Sequence, residues 1–290
     1  MRSRAVRIVF VVAIVGAAFV VGAGSGVAAA EPPSSGWNDW SCRPSAAHPE
    51  PVVMLHGLTG DGSNWDYIGP ALAGAGYCTF SLTYGQNGNC SFGAGTAPVA
   101  ESAEEVAAFM DKVRAATGAA KVDLIGHSEG GFISLYIPKV LGRADAIGKV
   151  VAIGTHQGGR SPQFETIDLL GARPALTALS GFFGCPAATD VLPGSPTWNR
   201  LADGPIAQPG VEYTVINTRF DVFVALFTDL RDPPMAREPG VHHIWVQDVC
   251  PLDPVGHISL ITDPSVLSMV RNALDPANAG PVACGVGAPV

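Results

Sequence analysis

Charge is scarce in this 290-residue chain: Asp, Glu, Lys and Arg make up only 14% of it. Positive charge is the scarcer kind, with 17 Lys and Arg against 25 Asp and Glu and a formal net charge of -8. A nucleic-acid binder needs a basic footprint to displace counterions from phosphates, so that class of partner is excluded. Low charge beside 47% hydrophobic residues also excludes a disordered chain, which needs the opposite balance. No Cys-x-x-Cys pair occurs, and no His stands at zinc-finger spacing from a Cys. A structural zinc site and a thioredoxin-like redox pair are therefore not expected. Glycine (35) and proline (24) are plentiful but follow no triplet period. That excludes collagen and leaves a loop-rich globule with enough apolar residues for a sizeable core.

What is present starts at the amino end. Arg2, Arg4 and Arg7 precede an uncharged apolar run from Ile8 that fades into Gly and Ala and ends at Ala28-Ala29-Ala30. Residues 1–30 read as a secretory signal peptide, cleaved near Ala30 to start the exported chain at Glu31. The alternative is an uncleaved membrane anchor, because the run is long enough to span a bilayer. The Gly/Ala-rich second half favours cleavage. No later segment reaches spanning length without charges.

Residues 31–50 are polar and Pro-rich, a lead-in rather than an element. From 51 to 290 a single domain is expected. Short apolar runs at Pro51–His56, Tyr77–Thr83, Val122–Gly126, Lys149–Ile153, Val211–Asn217 and Val241–Val246 are bounded by Gly, Pro or Asp, as buried parallel strands are. Helical patterns lie between or after them. One spans Ala97–Thr117 with Gly118 as its stop; a second spans Ser128–Leu141, bent or ended near Pro138. A third spans Ser265–Leu274, opened by Asp263-Pro264. Alternating strands and helices predict an α/β fold, a mostly parallel central sheet with helices on both faces. Residues 157–208 break the alternation, with no convincing strand and six prolines, and predict a lid- or cap-like insertion.

Gly126-His127-Ser128-Glu129-Gly130 matches G-x-S-x-G. It follows a strand pattern directly and precedes a helical one, the setting in which a strained turn thrusts a serine out of the sheet edge. Glycines there let helix and strand approach. Acyl transfer at such a serine needs two N–H donors aimed at the developing oxyanion. Glu129 N–H supplies one, and Leu58 N–H, in the His56-Gly57-Leu58-Thr59-Gly60 turn, is the best candidate for the other. A base and an orienting acid must follow in the order Ser, Asp or Glu, His. His257 lies in a loop after the last strand, where the base belongs. His242 and His243 fall inside a strand pattern, and His156 sits where it could line a pocket. Asp221, after the strand ending at Asn217, is the best acid. Asp248 and Asp253 compete but crowd His257, whereas Asp145, Asp190 and Asp203 lie too early or in the insertion.

With those residues in place, the run from Pro51 to Leu274 resembles the secreted bacterial triacylglycerol lipases and esterases of the α/β-hydrolase superfamily, the class 2 lipases. The matching stretches are Pro51–Gly57, Ala75–Cys78, Lys121–Gly131, Tyr213–Asp221 and Val255–Leu260. The resemblance implies Ser128 as nucleophile, Asp221 as acid, His257 as base, and Leu58 with Glu129 as oxyanion donors. Many relatives carry Gln where this chain has Glu129; a carboxylate there would repel an anionic intermediate or alter the pH optimum. The expected activity is hydrolysis of acylglycerol or other lipid esters through an acyl-enzyme, with possible lipid-interface contact and no cofactor or metal. An acyltransferase with the same triad and a non-catalytic binding protein of the same fold are the alternatives; the oligomeric state is left open.

All six cysteines lie beyond the signal, and an even count in an exported chain predicts disulfides. Cys42 is expected with Cys78 across the first strand region, and Cys185 with Cys250, joining the insertion to the segment before His257. That leaves Cys90 with Cys284, one of fifteen possible connectivities. Leu169, Leu170, Leu176, Leu179, Phe182 and Phe183 of the insertion are expected to form a greasy acyl pocket or, equally, a satellite core.

Overall fold

The six apolar runs form one sheet in the computed structural model, which describes residues 36–172, 174–175, 178 and 184–290. The expected signal segment lies outside these residues, as do Leu176, Leu179, Phe182 and Phe183. The strands are β1 (Val52–Leu55), β2 (Thr79–Ser81), β3 (Val122–His127), β4 (Ile147–Ile153), β5 (Glu212–Asn217) and β6 (Val241–Trp245). All neighbours pair in parallel, in the order β2-β1-β3-β4-β5-β6.

Side chains alternate between the two faces of a strand, and both faces here are apolar. Val53, Leu55, Leu124, Val150, Ala152 and Val215 pack on one face against α2 (Val99–Thr117) and α3 (Glu129–Val140). Val52, Met54, Ile125, Val151, Ile153 and Ile216 pack on the other against α1 (Ile68–Ala73) and the helix Pro264–Leu274. The expected boundaries have local causes. Gly118 ends α2 with a left-handed φ of 77°, a conformation that costs glycine nothing. Asp263 caps the last helix by accepting from Val266 N at 2.9 Å, with Pro264 at its first position. α3 runs two residues past Pro138 before it stops.

The strand order reverses direction at β1. In parallel α/β sheets such a switch point opens a crevice at the carboxyl ends of the strands, here between β1 and β3. The His56–Gly60 turn and Ser128 both emerge there. The polar lead-in is not a bare linker: Trp37 bridges Thr79 in parallel and so covers the edge of β2.

Between β4 and β5 the described residues contain no strand. The insertion is helical, with α4 (Pro162–Leu169) and further helices at Ala187–Asp190 and Pro196–Ala202. Ser161 and Ser195 cap α4 and the last of these, each followed by Pro. Phe164, Trp198 and Leu201 are buried, whereas Leu169 and Leu170 are exposed and build neither a pocket nor a satellite core.

The cysteines are all oxidised, but only one bridge follows expectation. Cys42–Cys78 forms; the others are Cys90–Cys185 and Cys250–Cys284, not Cys185–Cys250 and Cys90–Cys284. The loop after β2 lies directly against the middle of the insertion, with Asn87 Nδ2 donating to Gly184 O at 3.1 Å, so Cys90 and Cys185 come within 5.1 Å between Cα atoms. The carboxyl-terminal stretch meanwhile returns to the turn after β6, which leaves Cys250 and Cys284 5.5 Å apart. Peptide mapping without reduction should recover these three pairs; a peptide joining Cys185 to Cys250 would contradict them.

Candidate active site

Ser128 stands between β3 and α3 with φ 57° and ψ -119°, one of three non-glycine residues with positive φ among the described residues. Such a conformation costs about 1–3 kcal/mol and survives only where its surroundings over-determine it. A β-carbon on Gly126 would lie 2.2 Å from Gly130 O, and one on Gly130 2.2 Å from Leu55 O. Both glycines are therefore required for α3 to start so close to β1 and β3. Ser128 N donates to Ile153 O at 2.9 Å, and Thr155 Oγ1 donates to Ser128 O at 2.7 Å.

His257 connects the other two expected residues. Its Nε2 lies 2.9 Å from Ser128 Oγ and its Nδ1 2.7 Å from Asp221 Oδ2. Asp221 is buried, and its Oδ1 accepts from Phe223 N at 3.0 Å and Val224 N at 2.8 Å. One carboxylate oxygen is thus held by backbone and the other is given to the imidazole. With the proton on Nδ1, His257 Nε2 is left to accept from the serine hydroxyl. Thr218 Oγ1 donates to Val255 O at 2.6 Å, tying the Asp221 loop to the His257 loop.

The competing residues lie elsewhere. Asp248 pairs with Arg219 at the surface at 2.6 Å, and Asp190 caps α2 through Val99 N. Asp253 is buried but bonds Val255 N, Gly287 N and Ser265 Oγ. His242 is exposed on β6, and His243 meets Asn217 Nδ2.

Leu58, Ser128, Glu129 and His257 line one cavity of about 430 Å³, together with His156 and the apolar Val191, Leu192, Phe223 and Phe227. Val191 and Leu192 come from the insertion. A roomier depression of about 590 Å³ has Asp221, Arg219, Asp229 and Arg231 in its wall but reaches neither Ser128 nor His257. Glu129 is the first residue of α3, so its N–H has no acceptor within the helix and points from the positive end of the helix dipole.

Two buried histidines shape the site without a signal strong enough to assign them from sequence. His56 is uncharged, its pKa lowered by burial. Its Nδ1–H donates to Gly57 O at 2.9 Å, and its Nε2 accepts from Tyr84 N at 3.2 Å. Tyr84 stacks on it and returns a hydroxyl bond to His56 O at 2.5 Å, which fixes the turn carrying Leu58. His127, inside the G-x-S-x-G run, donates from Nε2 to His257 O at 2.9 Å. Burial first, then the neighbouring His257, push its pKa down to about 3. His156 is likewise lowered by burial to about 4 and meets Thr228 Oγ1 at 2.6 Å.

Glu129 differs from the expectation of a repelling charge. It is buried, neither carboxyl oxygen has a hydrogen-bond partner, and burial followed by Asp190 raises its pKa well above the ordinary 4.5. The same burial that raises its pKa favours the uncharged acid over a carboxylate at this position.

Residues 50–180 match a family model described as the alpha/beta hydrolase fold. Together with the switch-point crevice and the serine turn, that match decides the fold. The chain has the α/β-hydrolase fold. Among curated proteins, the chain is similar to a triacylglycerol lipase of Pseudarthrobacter phenanthrenivorans, 34% identical over 128 residues, covering 41% of this chain and 37% of the relative. A triacylglycerol lipase of Burkholderia plantarii is also 34% identical over 128 residues, covering 41% of this chain and 33% of the relative. The chain thus spans about a third of the length of these relatives. Among solved structures, lipase B of Aspergillus fumigatus superposes with a TM-score of 0.56 at 15% identity, covering 83% of this chain and 57% of that one. A putative non-heme bromoperoxidase, BpoC, of Mycobacterium tuberculosis H37Rv gives 0.53 at 16% identity, covering 79% and 93%. At such identities these two show the fold alone.

Because the folded chain holds a proton on Glu129 that the unfolded chain releases above about 4.5, its stability falls as pH rises through that value toward the raised folded one. Glu129→Gln keeps the shape and removes the proton. Its advantage in thermal melts should therefore widen as pH is raised above about 4.5. A difference that stays constant with pH would show that burial of this acid is not the cause.

Proposed function

We propose that this chain is a secreted serine carboxylester hydrolase acting on acylglycerols or other lipid esters. The hydrogen-bonded sequence Asp221–His257–Ser128 carries this reading. Ser128 Oγ attacks the ester carbonyl while His257 Nε2 takes its proton, and Asp221 holds the imidazole and stabilises its charged form. The tetrahedral oxyanion forms against the N–H groups of Leu58 and Glu129. Collapse breaks the ester C–O bond, and His257 returns the proton to the departing alcohol. A water, deprotonated by His257, then hydrolyses the acyl-enzyme and frees the acid and Ser128.

Apolar walls support a lipid acyl chain in the cavity, and the curated relatives are named triacylglycerol lipases. Phe223 and Ile258 line the cavity yet are 52% and 56% exposed, so apolar surface continues from the cavity to its rim, suited to contact with a lipid interface. The insertion 157–208, through Val191 and Leu192, acts as the cover on that side. Three disulfides suit an oxidising compartment, and residues 1–30 are read as the signal that takes the chain there.

A series of p-nitrophenyl esters, with triolein emulsion beside it, tests the substrate class: medium and long acyl chains should be cleaved faster than acetate, and a strict acetate preference would count against the acyl pocket. Ser128→Ala should abolish turnover and labelling by a fluorophosphonate while leaving the fold intact. Asp221→Asn should lower kcat on the order of ten-thousandfold, and near-normal turnover in it would remove Asp221 from the mechanism.

A further inference from the structure

Residues 284–290 take no part in the chemistry above and form neither helix nor strand, yet they are closely bonded to the loop that carries His257. Gly256 N donates to Ala288 O at 2.8 Å, and Ser259 N donates to Val290 O at 3.0 Å. His257 lies between those two donors, and its own carbonyl accepts from His127. The stretch is fastened at its other end as well. Cys284 is bridged to Cys250, Gly285 N donates to Ser265 Oγ at 2.9 Å, and Gly287 N donates to Asp253 Oδ1 at 2.9 Å. The second oxygen of the buried Asp253 accepts from Ser265 Oγ at 2.6 Å.

The approach is too close for side chains. A β-carbon on Gly256 would lie 2.6 Å from Val290 N, and one on Gly287 2.5 Å from Asp253 Oδ2 and 2.6 Å from Val255 Cβ. Backbone N–H groups in a buried loop need acceptors. Those flanking His257 find them in this stretch, not in the sheet. We propose that residues 284–290 are a positioning strap, which holds His257 in register with Ser128 and Asp221 by clamping the backbone on both sides of it. The strap rests on the reading of His257 as the base. Misplacing a catalytic group by about 1 Å can cost about a hundredfold in rate, so a loosened strap acts on kcat and leaves the cavity that binds the ester as it was.

Two variants test this: a chain stopped after Cys284, which keeps the Cys250–Cys284 bridge, and full-length Gly287→Ala, which wedges the strap off Asp253 with one methyl. Both are assayed on a soluble p-nitrophenyl ester, and the downfield imidazole N–H signal of His257, bonded to Asp221, is followed by NMR without substrate. The strap predicts a loss of about tenfold to a hundredfold in kcat with KM changed by less than about twofold, and a His257 signal broadened or lost in both variants. If the stopped chain does not fold, Gly287→Ala decides. Folded variants with a lower melting temperature, unchanged kcat and a sharp His257 signal would overturn the strap and leave a purely structural role. Absence of ester cleavage in the native chain would overturn the proposed function alone, because the NMR comparison needs no turnover.

Discussion

The backbone at Ser128 has to leave β3 and enter α3 within one residue, at a positive φ that a serine adopts only under constraint. Nearly everything at the carboxyl end of the sheet follows from that turn. It is possible only because Gly126 and Gly130 leave room for the carbonyls of β1 and α3. It also brings Gly57 so near that a β-carbon there would meet Ser128 Cβ at 3.0 Å. The turn carrying Leu58, the start of α3 and the serine are consequently one packed unit, and the His257 loop is tied to it through His127 Nε2, which donates to the His257 carbonyl.

Around that unit burial removes charge. His56, His127, His156 and Glu129 all lie where desolvation favours the neutral form. The buried Asp221 faces a single imidazole, with its other oxygen occupied by two backbone N–H groups. A neutral His127 stands beside His257, 4.8 Å between ring centres, and sets no like charge against that ring. Its remaining N–H bond to the His257 carbonyl makes it a support instead of a competitor for the proton.

The strands were legible because each is a short apolar run whose burial on both faces needs no long-range information, and the serine turn because its glycines are local. Chain order within the fold placed His257 and Asp221. Contacts between distant segments were not legible in the same way. Cys90 and Cys185 are 95 residues apart, and nothing local says that the loop after β2 meets the middle of the insertion. The stretch 280–290 has the Gly, Ala and Pro content of a linker, although glycines there serve close backbone contact. Burial of Glu129 was hidden for a related reason: a carboxylate one residue after the serine reads as charged until the surrounding helix and loops are in place.

The three disulfides share a property that their positions in the sheet make plain. Each fastens a peripheral segment to the body: the lead-in through Cys42, the insertion through Cys185, the carboxyl-terminal stretch through Cys284. No bridge joins two strands of the sheet. The parallel core is held by strand pairing and by apolar burial on both faces, with no covalent cross-link inside it, so a redox-indifferent centre carries a disulfide-tied shell. The covalent ties lie on the segments that supply the wall of the cavity and the bonds to the His257 loop, so reduction acts on those segments and breaks no link within the sheet. The oxidation state of the surroundings therefore bears on the loops at the carboxyl end of the sheet and not on the sheet that carries them.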